Sequence, residues 1–164
     1  MAALILRKAK EEDLTTIHGA QIESFQEILG KYQDFQTNPG AESLAQIRSR
    51  YNQPNSDYYL VSVDGIFVGA IRIVTNESNT VARISPMFIR PEYQGLGYGR
   101  QTINEIEKLY QSITKWELDT IREEDSPMYF YENLGYRRTG KVEAIRSGMT
   151  IAFFEKVISE ENPD

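Results

Sequence analysis

The 164-residue sequence predicts an α+β domain, in which a mixed, mostly antiparallel, twisted and splayed sheet of about seven strands is flanked by about four helices. Three observations carry that expectation. The apolar runs "YYLVSV" and "IFVGAIRIV" are separated only by Asp64-Gly65, the strongest short hairpin signal. "NESN" then reverses the chain into "TVARISPMFI", so three successive strands become antiparallel neighbours. Finally Gly95, Gly97 and Gly99 stand between that last strand and a run with helical periodicity.

Each element follows in order. "LILRKA" reads as the first strand. Leu14, Ile17, Gln21/Ile22, Phe25 and Ile28/Leu29 fall at helical spacing, which predicts a helix from Glu12 to Leu29 ended by Gly30. "KYQDFQTNPG" is an irregular connection, and Glu42 to Tyr51 is a short second helix broken by "NQPNSD". After the three strands and the glycines comes a helix with Ile103, Ile106 and Leu109/Tyr110 on its apolar face and Gln101, Asn104, Glu105 and Lys108 opposite. "KWELDTI" is a strand. A short helix follows, with Ser126 expected as N-cap, Pro127 at the first helical position and Gly135 just past its end. "YRRTGK" and "MTIAFFEKV" complete the sheet. Residues 1–158 read as one domain, with a polar, frayed tail at 159–164.

Composition narrows the function classes. Hydrophobic residues make up 40% and charged residues 26%, as in globular domains. The net charge of −6 argues against a nucleic-acid partner, which would call for a basic face. There are no cysteines, hence neither disulfides nor thiolate chemistry. The apolar run in "MAALILRKAKEEDL" is too short for a signal peptide, and no run is long enough to span a bilayer. A cytoplasmic protein without membrane contact is expected. No cluster has metal-ligand spacing, so no metal is expected.

The glycine loop admits three readings. A dinucleotide turn needs Gly-x-Gly-x-x-Gly between parallel strands, with an acid about 20 residues on. Asp119 sits at a suitable distance, but the third glycine comes one residue early and the preceding strands are joined by tight hairpins. A Walker A loop would need Gly-Lys-Ser/Thr, which is absent. The third reading takes Gln94-x-x-Gly97-x-Gly99 as a pyrophosphate cradle: amides of Gly95, Leu96, Gly97, Tyr98, Gly99 and Arg100 converge at a helix N-terminus, with Arg100 and Arg90 adding charge. Pro86 supports it. Proline donates nothing to a ladder, so it marks an edge or a bulge. A bulge would free main-chain groups of Met87, Phe88 and Ile89 for an extended, amide-bearing ligand.

These residues carry a family pattern. "ISPMFIRPEYQGLGYGRQTINEIE" resembles the acetyl-CoA-binding motif of the GNAT acetyltransferase superfamily, and "FYENLGY" (Phe130 to Tyr136) resembles that family's second signature, one strand later. The resemblance covers nearly the whole chain. It implies acetyl-CoA or coenzyme A as co-substrate, with Met87, Phe88 and Ile89 beside the pantetheine arm and Gly95 through Arg100 on the pyrophosphate. Tyr131 would stand near the thioester sulfur. Two positions depart from the pattern: Glu124 occupies the place of a common asparagine, and Pro127 that of a small alanine.

Acyl transfer to an amine needs an oxyanion donor, an acid for the thiolate and a base for the amine. A freed N–H at Phe88 or Ile89 suits the first role. The phenol of Tyr131, with an ordinary pKa of about 10, suits the second, although Pro127, Phe130, Tyr131 and Leu134 also form one packing face. Glu117 and Asp119 share one face of "KWELDT" and are the candidates for the third. Glu123, Glu124 and Asp125 would attract a cationic amine. His18 is expected to be structural. The acceptor site falls to "GKYQDFQTNPG", with Tyr32, Asp34 and Phe35, and to "KVEAIRSGM". The expected activity is N-acetylation of a primary amine on a small molecule by direct attack. A non-catalytic acyl-CoA sensor and a protein lysine or N-terminal acetyltransferase are the alternatives. A homodimer through an open sheet edge near the C-terminus is possible on this reading.

Overall fold

A computed structural model describes residues 3–158; the tail expected at 159–164 lies outside them. Seven strands form one sheet: β1 (Leu4–Lys8), β2 (Ser56–Val63), β3 (Ile66–Thr75), β4 (Val81–Ile89), β5 (Lys115–Ile121), β6 (Arg137–Arg146) and β7 (Met149–Val157). Their order is β1-β2-β3-β4-β5-β7-β6. The helices are α1 (Leu14–Tyr32), α2 (Leu44–Tyr51), α3 (Tyr98–Leu109) and α4 (Asp125–Asn133). The expected α+β class, strand number and mostly antiparallel pairing are all present.

Local chemistry explains the connections. Asp64 and Gly65 both have positive φ, 51° and 82°, the combination a type I′ turn demands. Val63 therefore pairs directly with Ile66. At the next reversal the side chain of Asn76 accepts from the amides of Thr80 (2.8 Å) and Val81 (3.0 Å), which closes the β3–β4 turn. Among the described strands only β4 and β5 run parallel, and α3 makes the crossover between them.

The sheet is covered on both faces, and the two-residue strand period sorts side chains between them. Tyr58 and Leu60 join Leu14, Ile17, Ile47 and Phe88 under α1 and α2. Tyr59 and Val61 join Ile103, Ile106, Trp116, Met128 and Phe154 under α3 and α4. Ile103 and Ile106 are fully buried, each contributing about 1.5–3 kcal/mol of apolar burial.

Several boundaries differ from expectation. α1 continues through Gly30 to Tyr32 and ends where Gln33 adopts left-handed φ of 53°, so Gly30 is not its stop. The start is also later: Glu11–Asp13 form a 3-10 turn first. α2 begins at Leu44, because Ser43 and Gln46 form a reciprocal capping box. The N-cap of α4 is Glu124 rather than Ser126, which places Pro127 at the third helical position. Leu109 is exposed, whereas Tyr110 turns inward and donates its hydroxyl to Asp57 (3.1 Å). β6 runs on to Arg146, so most of "KVEAIRSGM" is edge strand.

Candidate active site

The site begins where two strands part. β4 and β5 pair only from Val81↔Lys115 to Arg83↔Glu117. Beyond that, Ile84–Ile89 and Leu118–Ile121 line opposite walls of a cleft of about 960 Å³. α1 (Ser24, Phe25, Ile28), the 34–39 connection, the start of α3 and α4 complete the lining, together with Glu143, Ile145, Met149, Ile151 and Phe153.

A bulge shapes the β4 wall. Ile71 pairs with Met87 and Ile73 with Ile84, so β4 carries one more residue than β3 over this stretch. Pro86 is thus at a bulge and not merely protecting an edge. Opposite it lies Arg72, 4% exposed. Its guanidinium donates to the carbonyl of Ser85 (3.0 Å), the Ser56 hydroxyl (2.9 Å) and Gln53 Oε1 (2.7 Å). Burial lowers its pKa from the usual arginine value. The β4 ladder is also closely approached: a Cβ on Gly69 would collide with the Phe88 carbonyl oxygen.

At the far end of β4, the three glycines serve different needs. Gly95 and Gly97 hold left-handed φ of 78° and 86°. Gly97 is the N-cap of α3. Gly99 instead makes room, since a Cβ there would lie 3.1 Å from Phe130 Cζ. Among the described residues, the amides from Gly95 to Arg100 have no backbone acceptor; the first turn of α3 closes only at Gln101, whose N–H donates to the Gly97 carbonyl (3.1 Å). Gln94 Nε2 donates to the Ile89 carbonyl (2.8 Å) and ties the loop to the end of β4. Met87, Phe88, Ile89, Gln94, Gly95, Gly97, Tyr98, Gly99 and Arg100 all line the cleft; Leu96 does not and is exposed. Arg90 is engaged elsewhere. It donates to the Phe67 carbonyl (2.9 Å) and lies over the Phe67 and Tyr93 rings, so the charge expected from it belongs to packing.

The other candidates separate on inspection. Tyr131 lines the cleft, half-buried, with its ring centroid 5.0 Å from Phe130, 6.1 Å from Tyr136 and 6.3 Å from Phe154. Burial pushes its phenol up to about 12, so it stays protonated at neutral pH. Asp119 lines the cleft but is ion-paired with Arg83. Glu117 is outside the lining and lies 3.5 Å from Lys115 Nζ. Glu124 faces the cleft and joins α4 to the end of α1, accepting from Lys31 Nζ (2.6 Å) and the Tyr32 hydroxyl (2.5 Å). The Lys31 ammonium and that hydroxyl hold its carboxyl below the usual range. Glu123 instead accepts from the Thr150 amide (2.7 Å).

Asp34 is buried and accepts from Asn38 Nδ2 (3.0 Å) and the Thr37 hydroxyl (3.1 Å). Phe35 is exposed outside the cleft. A ring nitrogen of His18 is 2.9 Å from the Glu42 carbonyl oxygen, a structural contact. Among the described residues no group of three or more His, Asp or Glu side chains has a metal-binding arrangement.

Sequence reasoning missed Arg72 and did not single out Glu143. A lone charge inside "FVGAIRIV" was the available signal for the first. For the second, the sign was an acid between Val142 and Ala144 on a strand.

A family model described as an acetyltransferase (GNAT) domain matches residues 15–157. Among curated proteins no sequence matches significantly. Solved structures resemble the fold. One is a spermidine N-acetyltransferase from Vibrio cholerae in complex with CoA and spermine, 22% identical, covering 94% of this chain and 95% of that one, with a TM-score of 0.75. A second is the ribosomal-protein-S18-alanine N-acetyltransferase from Escherichia coli, 12% identical over 99% and 98% of the two chains, with a TM-score of 0.76. An acetyltransferase from Thermus thermophilus is 16% identical over 95% and 97%, with a TM-score of 0.73.

Proposed function

The chain belongs to the GNAT acetyltransferase family, and from that premise we propose that it transfers an acetyl group from acetyl-CoA to the primary amine of a small molecule. The observation that carries this reading is the set of amides of Gly95, Gly97, Tyr98, Gly99 and Arg100, without a backbone acceptor among the described residues, at one end of the cleft that β4 and β5 open.

The residues present fit coenzyme A. The amides and Arg100 supply donors and positive charge for a diphosphate at a helix N-terminus. The β4 edge from Met87 to Ile89 has no β5 partner and is available to an amide-bearing arm. When bound, acetyl-CoA supplies an activated acetyl thioester. The N–H of Ile89 then stabilises negative charge on the acyl oxygen; that of Phe88 faces β3, because Arg90 N–H donates to the Val68 carbonyl (2.7 Å) and Phe88 stands opposite Ala70 in the same register. Tyr131, protonated, donates toward the departing sulfur. Asp119 and Glu117 remain the proposed bases. Asp119 has the better position, and its pairing with Arg83 means that it would act through water or after the pair opens.

The acceptor end is acidic. Asp34, Asp119, Glu124 and Glu143 line it, which favours an amine carrying further positive charge. The spermine complex of the Vibrio cholerae protein is in keeping with that preference. No helix among the described residues is long and apolar enough to cross a membrane, and we place the activity in the cytoplasm.

A second reading, a non-catalytic acyl-CoA sensor, is favoured by one observation: Asp119 and Glu124 are both held in ion pairs. Two measurements separate the readings. Melting temperature with CoA, acetyl-CoA and NAD in parallel should rise with the first two only. Thioester cleavage across a panel of amines should then appear with at least one amine and fall in Tyr131→Phe. Binding of CoA without turnover of any amine would leave the sensor reading standing.

A further inference from the structure

We propose that Arg72 is a positioning residue for acyl transfer: by gripping the bulge from behind, it fixes where the main-chain amide of Ile89 meets the acyl oxygen. The inference rests on the acetyltransferase reading and assigns to it a residue that touches neither substrate.

Four observations carry it. Arg72 lies across from the extra residue of β4, between the pairs Ile71↔Met87 and Ile73↔Ile84. Its three nitrogens go to three separate segments: the bulge carbonyl of Ser85, the start of β2 at Ser56, and Gln53 just beyond α2. The guanidinium also lies 6.0 Å from the centre of the Tyr58 ring, within the α1–α2 core. Finally, it has no described carboxylate partner, since Glu42, the acid whose charge reaches it, is paired with Arg50.

A buried cation with no counter-ion is a costly way to fill space. Cohesion alone could be had from an apolar side chain of similar volume. What an apolar side chain cannot do is donate to the carbonyl that a bulge leaves outside the ladder. The planar fork of arginine reaches that carbonyl while its other two nitrogens are anchored elsewhere, so the bulge is held at one position. The residues immediately after the bulge are Met87, Phe88 and Ile89, the wall along which the acyl group is expected. An oxyanion donor is effective only when it is preorganised, because small displacements weaken it steeply. The glycine loop follows β4, tied to it through Gln94 and the Ile89 carbonyl, and none of the hydrogen bonds of Arg72 reaches it.

The test is Arg72→Met and Arg72→Lys in the full chain. Readouts are the melting temperature without ligand, the CoA dissociation constant by calorimetry, and kcat and KM with the best amine of the panel. In Arg72→Met, kcat is expected to fall about 10- to 100-fold, with the CoA dissociation constant within about threefold of the original. Arg72→Lys should recover part of that loss, because an ammonium can reach Ser85 without holding all three anchors.

Unchanged kcat in folded Arg72→Met overturns the inference. So does a loss of CoA affinity matching the loss of kcat, with no recovery in the lysine variant, which would mark a purely structural role. If Arg72→Met does not fold, Arg72→Lys decides: a reduced kcat with intact CoA affinity supports the inference, and the original kcat overturns it. If the unaltered protein neither binds CoA nor acetylates any amine, the acetyltransferase reading itself fails, a result distinct from all of these.

Discussion

The two ends of the cleft are made from different materials. At the α3 end the donors are main-chain amides, delivered by Gly95, Gly97, Tyr98, Gly99 and Arg100 and set by glycine conformations and one helix start. At the α1–α4 end the groups are side chains, and they come from separate stretches: Asp34 after α1, Asp119 on β5, Glu124 before α4 and Glu143 on β6. A backbone-built site resists change in any one side chain but fails when the backbone cannot adopt its shape. A side-chain site is tuned residue by residue. Mutations at the two ends should therefore separate cleanly in kinetics.

The sharpest break concerns Tyr131, which lines the same cleft. Tyr131→Phe should lower kcat by about 10²–10⁴-fold, the range for loss of a general acid, while CoA affinity stays within about twofold. Because burial raises the phenol to about 12, its loss of a proton cannot explain any alkaline fall in kcat below about pH 11. A pH–rate profile of the unaltered enzyme checks this; a limb near pH 9 would have to belong to the amine or another group.

The second break tests the backbone end. Gly97→Val forces a β-branched residue into φ of 86°, where even an unbranched residue is disfavoured by about 1–2 kcal/mol. CoA affinity should fall tenfold or more, read by calorimetry, with the acceptor KM at saturating acetyl-CoA little changed. Gly97→Ala should show the same direction with a smaller loss.

This contrast also decides what could be read before the structure was known. Asp64-Gly65 and the Gly95–Gly99 loop were legible because their information is local: a turn type or a helix start is written in adjacent residues. The register shift that makes the bulge was announced by Pro86. The C-terminus of α1 is not written locally: Gly30 has the composition of a stop yet remains helical, and Gln33 takes the left-handed position. The N-cap of α4 is ambiguous for a related reason: proline fits anywhere in a first turn, so Pro127 does not fix the start. The acceptor end was legible only as a list of acids. Which ones are already paired depends on Lys31 of α1 meeting Glu124 before α4, and on β4 lying beside β5 so that Arg83 meets Asp119; no local pattern reports either.

A third, smaller effect sharpens the side-chain end. If its acids attract a cationic acceptor, the KM of a di- or polyamine should rise several-fold between about 0.05 and 0.5 M salt, as screening shortens the reach of charge. A singly charged amine with an apolar body should change less. Equal salt dependence for both would mean that the carboxylates hold the fold and do not select the acceptor.

The smallest effect is expected at Glu124, which has two duties. Its carboxylate clasps Lys31 and Tyr32 from the α4 side and also faces the cleft. Glu124→Gln keeps the shape and removes the charge. The Lys31 side chain is more than half exposed, so the pair is well screened and the melting temperature should drop by no more than about 3 °C at pH 7. The sign with pH follows from the lowered carboxyl: the link stabilises the fold above the ordinary carboxylate pKa and is lost as pH falls through the depressed value. The difference between variant and original should therefore shrink toward zero in acid. At neutral pH the acceptor KM should rise about two- to fivefold, with CoA affinity untouched. A change in CoA affinity instead would join the two ends of the cleft and undo their separation.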